Sequence, residues 1–274
     1  MTSSRWQRMF VNAALGAMAL VFLYPIFWMG LAGFRSNREI FSTHSLWPEH
    51  WNGAYYRALF ANEYFDYGRG LGNSLLIASA QSVGATLLAA LAGYAVAWFR
   101  LWQRQVAVAW AFGTVMISPQ LISLPLLTWI NQIGLFDQAL GVILPGLANG
   151  LGLLYFIRVW TKVPRELSEA ARAEGASEWR ILCTLIPLVR SHLLVLGLLL
   201  FVLAWHAHLI PLLILQSEER RTLPLQLAAL HGGSFHPPQA ILMASATISL
   251  LPLLVLFAWG GRLFRTTAKD FVSG

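Results

Sequence analysis

Several stretches of this chain run without a charged side chain for longer than a bilayer is thick. About 26 uncharged residues separate Arg8 from Arg35 and about 30 separate Arg69 from Arg100, whereas roughly 20 residues of helix cross the hydrocarbon core. Further apolar runs follow toward the C-terminus. Composition agrees: 57 % of residues are hydrophobic and 11 % charged, where soluble domains carry about a quarter charged. The fold class these features impose is an all-α polytopic membrane protein. The positive balance, +7 with a pI near 10.1, forms no basic cluster apart from the membrane segments. It therefore reads as a set of topology determinants rather than as a nucleic-acid surface.

Six transmembrane helices are predicted, near Phe10–Phe34, Leu71–Phe99, Val106–Ile130, Gln138–Trp160, His192–Leu215 and Ala240–Gly261. The 19 Lys and Arg residues test that arrangement. Arg5, Arg8, Arg100, Arg104, Arg158, Lys162, Arg165, Arg172, Arg180, Arg190, Arg262, Arg265 and Lys269 fall on one side, and Arg35, Arg38, Arg57, Arg69, Arg220 and Arg221 on the other. The positive-inside rule then places both termini and a loop at about residues 161–190 in the cytoplasm, all within a single membrane domain over 1–274. Arg5 and Arg8 precede the first apolar run as in a signal peptide. That run is too long for a signal h-region and lacks a small-residue cleavage site before Arg35, so it is expected to be an anchor. The first outer loop carries Trp47, Trp51, Tyr55, Tyr56, Phe60, Tyr64, Phe65 and Tyr67, which mark either an interfacial belt against membrane lipid or a docking surface. The last outer loop, about 216–239, is polar with Gly232-Gly233 and Pro237-Pro238, and is expected to project without regular structure.

Between the fourth and fifth spans lies the most charged segment of the chain, Pro164 to Pro187. Its signals read helix, break, helix. Pro164 suits a first helical position and Glu166 places negative charge at the positive helix end. Glu169, Ala170, Ala171 and Ala173 are good helix formers, Gly175 supplies the left-handed residue that ends a helix, and Ser177 is a candidate cap for the next. Pairing of Arg165 with Glu169 and of Glu169 with Arg172 would support the first helix internally. The result is a short exposed helical hairpin held between two membrane helices.

The chain carries no nucleotide-hydrolysing motif of its own. Its only lysines, Lys162 and Lys269, lie outside any Gly-rich phosphate loop, so ATP hydrolysis is assigned to another chain. Cys183 is the sole cysteine, which excludes an intramolecular disulfide and a thiolate metal cluster built from this chain alone. His206 and His208 are two apart and point to different faces of a helix, so no metal site is expected. Asn73, Ser74, Gln81, Gln120, Asn131, Trp205 and His206 are candidate residues of a hydrophilic path; the same polar groups could simply knit helices together. The absence of a carboxylate deep in a span argues against proton-driven transport. Prolines at 25, 119, 125, 145, 211 and 252 predict kinks or breaks. Two other classes stay open on the residues alone. An intramembrane enzyme would have only His206 and His208 to draw on, and a structural scaffold would have no use for an ATPase.

Glu169-Ala170-Ala171, three further residues and Gly175, preceded by Glu166-Leu167 and followed by Ile186-Pro187, resembles the EAA motif of permeases in binding-protein-dependent ABC importers. The flanks extend the resemblance to the maltose-type carbohydrate group. Asn73-Ser74 opens the second span; Leu135-Phe136-Asp137 with Gly141, Phe201 with Trp205, Pro211-Leu212, and Arg221-Thr222-Leu223-Pro224 follow in order. Glu174 stands where the group commonly has Asp, His206 where Asn usually follows Trp, and the tail departs from the usual pattern. The resemblance implies a type I ABC importer permease fold and a loop whose EAA helix couples to an ATPase. Glu166, Glu169, Ala170, Ala171, Gly175 and Pro187 would form that coupling element. It implies as partners a second homologous permease, two cytoplasmic ATPase subunits holding ATP and magnesium, and an extracytoplasmic binding protein delivering a sugar, or a polyol or glycerol phosphate derivative. Gly232 and Gly233 would be candidate contacts with that binding protein. The location implied is the bacterial inner membrane, with no cofactor and no catalysis on this chain.

Overall fold

The structure, a computed structural model, describes residues 5–42, 45–98, 104–232 and 238–272, and no strand occurs among them. The chain divides into two compact units, Met1–Gly68 with Gln226–Pro252 and Arg69–Leu225 with Leu253–Gly274.

The first unit opens with α1 (Arg5–Ala32), which runs on through Pro25, and continues with two short helices, α2 (Asn37–Ser42) and α3 (Ala54–Phe60). Charge and aromatics organise the segment after α1. Arg35 is fully buried, pairs with Glu39 at 3.8 Å and donates to the Ser45 carbonyl, while Glu39 accepts the Glu49 N–H. Tyr56 donates to the Gly30 carbonyl and packs on Phe34. Trp47 meets Phe27 edge-on and Trp51 lies on Phe34, yet both indoles remain more than half exposed.

The second unit contains most of α4 (Tyr67–Trp98), then α5 (Arg104–Met116), α6 (Pro119–Gln132), α7 (Ala139–Leu147) and α8 (Gly150–Thr161). Next come α9 (Glu166–Ala173), α10 (Glu178–Leu185), a 3₁₀ turn (Ile186–Val189), α11 (Arg190–Trp205) and α12 (Leu209–Ile214). Helices α13 (Leu223–Gly232) and α14 (Gln239–Val272) complete the chain. Helix α5 packs along α8 around Ala111, Leu153 and Ile157. Both α6 and α7 pack on α12 around Ile130, Val142, Ile143 and Ile214.

Four helical runs among the described residues are long and apolar enough to cross a membrane, and the count rises to six if each of two bent pairs is one span. This is the all-helical polytopic architecture expected, with corrections inside it. The span expected over Val106–Ile130 is two helices meeting at 104°. Pro119 has no N–H to continue α5, and Ser118 takes an extended conformation and accepts the Gln120 N–H, so a new helix starts there. The span expected over His192–Leu215 stops at Trp205. Pro211 cannot donate back to Ala207, and the chain restarts as α12. The loop at 216–239, expected to be irregular, contains a 3₁₀ turn (Glu218–Arg220) and all of α13, because Leu223 to Leu230 is a run of helix-forming apolar residues with a proline near its start.

Candidate functional site

The charged hairpin is built as a braced pair of helices. Gly175 sits at φ +81°, where a side chain would be strained. The Ala176 N–H reaches the Ala171 carbonyl at 3.0 Å and the Gly175 N–H reaches that of Arg172 at 2.9 Å, so α9 ends in a Schellman motif. Three local expectations are corrected. Pro164 lies before the helix, with Arg165 as its cap residue, since the first bonds accepted are those of the Arg165 carbonyl. Ser177 has the extended backbone of a cap but makes no side-chain capping bond. Arg172 turns away from Glu169 to Glu178, which α10 brings within bidentate reach at 2.7 and 3.2 Å.

Glu178 is the junction of three elements. Besides Arg172 of α9 it accepts a hydrogen bond from the Tyr94 hydroxyl of α4 at 3.2 Å. Arg172 also donates to Ser168, whose buried hydroxyl caps back onto the Arg165 carbonyl. Beneath them, Ile181, Leu182 and Leu185 of α10 enter the buried cluster of Tyr94, Ala97, Phe156 and Trp160. Tyr94 lies 5.2 Å from Trp98 and 5.3 Å from Trp160, centroid to centroid. The indole N–H of Trp160 donates to the Ala90 carbonyl and that of Trp98 to the Trp160 carbonyl, so α4 and α8 are tied across both rings.

The bracing settles which side chains face outward. Glu166, Leu167, Glu169 and Ala170 are exposed, as are Gly175 and Pro187, while Ala171 is half-buried against the cluster. The outward face of α9 therefore offers the carboxylates of Glu166 and Glu169 with the apolar Leu167 and Ala170, and Trp179 of α10 is exposed as well. Such a surface suits contact.

At the other end of the same spans, the polar candidates divide. The Asn73 amide donates to the carbonyls of Glu219 and Arg221, and the buried Ser74 hydroxyl accepts the Leu223 N–H, so both are spent tethering the segment before α13. Asp137, at φ +55°, accepts the N–H groups of Gln216 and Ser217 and the Ser217 hydroxyl, and Arg220 pairs with it. Led by the Ser217 hydroxyl, these partners hold its carboxyl below the ordinary 3.8. Gly141 completes the clasp, since a Cβ there would stand 2.4 Å from the Leu135 carbonyl oxygen.

Gln120 and Asn131 are exposed on α6, three turns apart and on one face. Trp205 is buried and stacked on Phe201, and His206 closes α11 with Nδ1 within 2.9 Å of the Val202 carbonyl. Gly232 ends α13, and Gly233 lies outside the described residues. A cavity of about 100 Å³ is lined by Gln81, Gly146, Asn149, Leu200, Ala204 and Ala207. Asn149 accepts the Gly152 N–H at the 41° bend between α7 and α8. No cluster of three metal-ligating side chains occurs among the described residues.

Sequence reasoning missed Glu178, Tyr94, Trp160 and Asn149. Tyr94 and Trp98 carried a signal, two aromatics one helical turn apart at the charged end of a span. Glu178 carried none, because its partners come from elements that only the fold brings together.

Residues 85–268, more than half of the chain, match the family described as binding-protein-dependent transport system inner membrane component. The chain is similar to the inner membrane ABC transporter permease protein YcjP of Escherichia coli (strain K12), 27 % identical over 259 residues that cover 92 % of this chain and 91 % of that one. It is also similar to the lactose transport system permease protein LacG of Rhizobium radiobacter, 29 % identical over 186 residues and 68 % of each chain. Among solved structures, a bacterial ABC transporter involved in the import of the acidic polysaccharide alginate superposes with a TM-score of 0.81 at 21 % identity, over 96 % of this chain and 99 % of that chain.

Proposed function

The chain belongs to the family of binding-protein-dependent transport system inner membrane components, and on that premise we propose that α9 is the coupling helix through which a separate ATPase drives this permease. It is a multi-pass inner-membrane permease subunit of an ABC importer, with the type I permease fold. In the proposed assembly it pairs with a second homologous permease, two cytoplasmic ATPase subunits that hold ATP and magnesium, and an extracytoplasmic binding protein. The 161–190 loop and both termini lie in the cytoplasm, a reading that the distribution of Lys and Arg supports.

One observation carries this reading. An exposed helix bearing Glu166, Glu169 and Ala170 is held rigidly against two spans by buried aromatics and a bidentate ion pair. A loop with no mechanical task gains nothing from such bracing. Glu169 makes a charged contact with the ATPase, Ala170 permits close approach, and closure of the ATPase dimer moves the hairpin and the spans together. The solute is a sugar, a reading supported by relatives named for lactose and alginate transport. The Gln81–Asn149 cavity and the exposed face of α6 with Gln120 and Asn131 belong to its path, where uncharged amides meet hydroxyl groups.

The test is purification of the tagged chain in mild detergent with its native neighbours, followed by assay of ATP hydrolysis. Co-elution of an ATPase and a second permease is expected, with Glu169→Arg weakening ATPase retention or uncoupling hydrolysis. A chain that elutes alone, or an ATPase indifferent to Glu169→Arg, would overturn the reading.

A further inference from the structure

The docking face of α9 receives force, but nothing on that face carries it into the membrane. Among the described residues, contacts from α9 and its cap run toward α4 and the aromatic cluster. Arg165 reaches the Ala97 carbonyl at 3.4 Å, a long bond. Ala171 packs against the aromatic cluster, a contact that resists pushing and not pulling. Arg172 reaches α4 through directional bonds that involve charged groups, and it does so in two steps. Its guanidinium holds both Glu178 oxygens, and one of those oxygens accepts the Tyr94 hydroxyl of α4. Tyr94 in turn is wedged between Trp98 and Trp160, whose indole bonds to the Trp160 and Ala90 carbonyls join α4 to α8.

We infer that Glu178 is a positioning residue that transmits motion of α9 in both directions, push and pull, to α4 and α8 through the Tyr94 hydroxyl. This deepens the coupling-helix reading and rests on it. A carboxylate is the group the junction requires. It accepts two charged N–H bonds and a phenol at once, and the planar guanidinium fixes its orientation. An amide at 178 would offer one acceptor oxygen and place an N–H against either Arg172 or Tyr94. Tyr94→Phe would keep the ring packing and remove the hydroxyl that donates to Glu178. The ATPase-facing side chains, Glu166, Glu169 and Ala170, are not part of the junction, so the two functions separate by mutation.

The experiment uses the assembled complex in proteoliposomes, with the exposed Cys183 replaced by serine and Gln81→Cys as a reporter in the cavity. The rate of Gln81→Cys modification by a water-soluble maleimide is read with and without ATP–magnesium and vanadate, beside ATP turnover. In the parent complex, trapped nucleotide changes that rate severalfold. Tyr94→Phe and Glu178→Gln are each expected to cut the nucleotide-dependent change by more than half while ATPase retention and turnover stay within about twofold of the parent. The double variant is expected to be no worse than the more affected single one, since both remove the same link. A full reporter response in both single variants would overturn the inference, as would loss of ATPase retention, which would make the junction part of docking. A parent complex that hydrolyses ATP with no reporter change, or one that holds no ATPase, would overturn the coupling reading itself.

Discussion

The two ends of the α4 and α7–α8 spans are closed in different ways. At one end a charged hairpin is fixed from beneath by a buried aromatic cluster, and the bidentate Arg172–Glu178 pair is joined to that cluster through Tyr94. At the other, the segment before α13 is tied down by hydrogen bonds to Asp137, Asn73 and Ser74. Both use a residue in the left-handed region, Gly175 in one case and Asp137 in the other. The difference is mechanical. Packed rings transmit displacement because interiors are dense, whereas the clasp is held by hydrogen bonds to a half-buried carboxylate and by one pair whose arginine is half exposed and partly screened. The hairpin end is braced by packed rings, and the clasp end by hydrogen bonds.

That contrast can be broken most severely at Trp160. It is fully buried and donates to the Ala90 carbonyl. Trp160→Ala is expected to lower stability by about 3–5 kcal/mol, as large-to-small changes of buried aromatics do, and to loosen α9 and α10 together. Thermal unfolding in detergent, paired with protease cleavage near Gly175, reads both effects. Preserved stability would mean the cluster does not brace the hairpin.

A smaller effect is expected from Gly175→Ala. Holding an L-residue at φ +81° costs about 1–2 kcal/mol, localised to the turn. Exchange of the α9 amides with deuterated solvent should quicken while those of α8 do not. Equal acceleration in both helices would show that the turn is not a separate device.

The smallest effect sharpens the other side of the comparison. Asp137→Asn should cost within about 1 kcal/mol, the range of screened pairs, and should act only on residues 214–221. The sign with pH follows from the depressed carboxyl. Its contribution is complete above the ordinary 3.8 and disappears as pH falls through the lower value of the folded state. Protease protection of the 214–221 segment should weaken over that acid window in the parent and lose its pH dependence in Asp137→Asn. A clasp equally pH-sensitive in the variant would remove Asp137 from the account.

Much of this was legible in the chain itself. Uncharged runs such as that between Arg69 and Arg100 leave helix as the only economical spanning form, so the architecture followed from local pattern. Gly175 was legible for the same reason, because a helix that must stop selects a left-handed residue. What the pattern could not carry was three-dimensional partnership. Asn73 and Ser74 read as path residues until the fold placed the carbonyls of Glu219 and Arg221 and the Leu223 N–H beside them. Arg172 had a plausible partner in Glu169, three residues away, and took Glu178 because α10 folds back across the turn. The break at Ser118-Pro119 was written in the residues as a proline. Its size, 104°, depends on α6 finding α12 to pack against.

The central claim is that the outward face of α9 meets an ATPase, and a face-specific crosslink tests it most directly. In a Cys183→Ser background, Ala170→Cys lies on the exposed side and Ser168→Cys on the buried side of the same helix. In membranes containing the assembled complex, a short bifunctional maleimide is expected to join position 170 to the ATPase and leave position 168 unlinked, with the yield at 170 changed by ATP–magnesium and vanadate. Absence of any ATPase crosslink at 170, or equal linking from 168, would contradict the account.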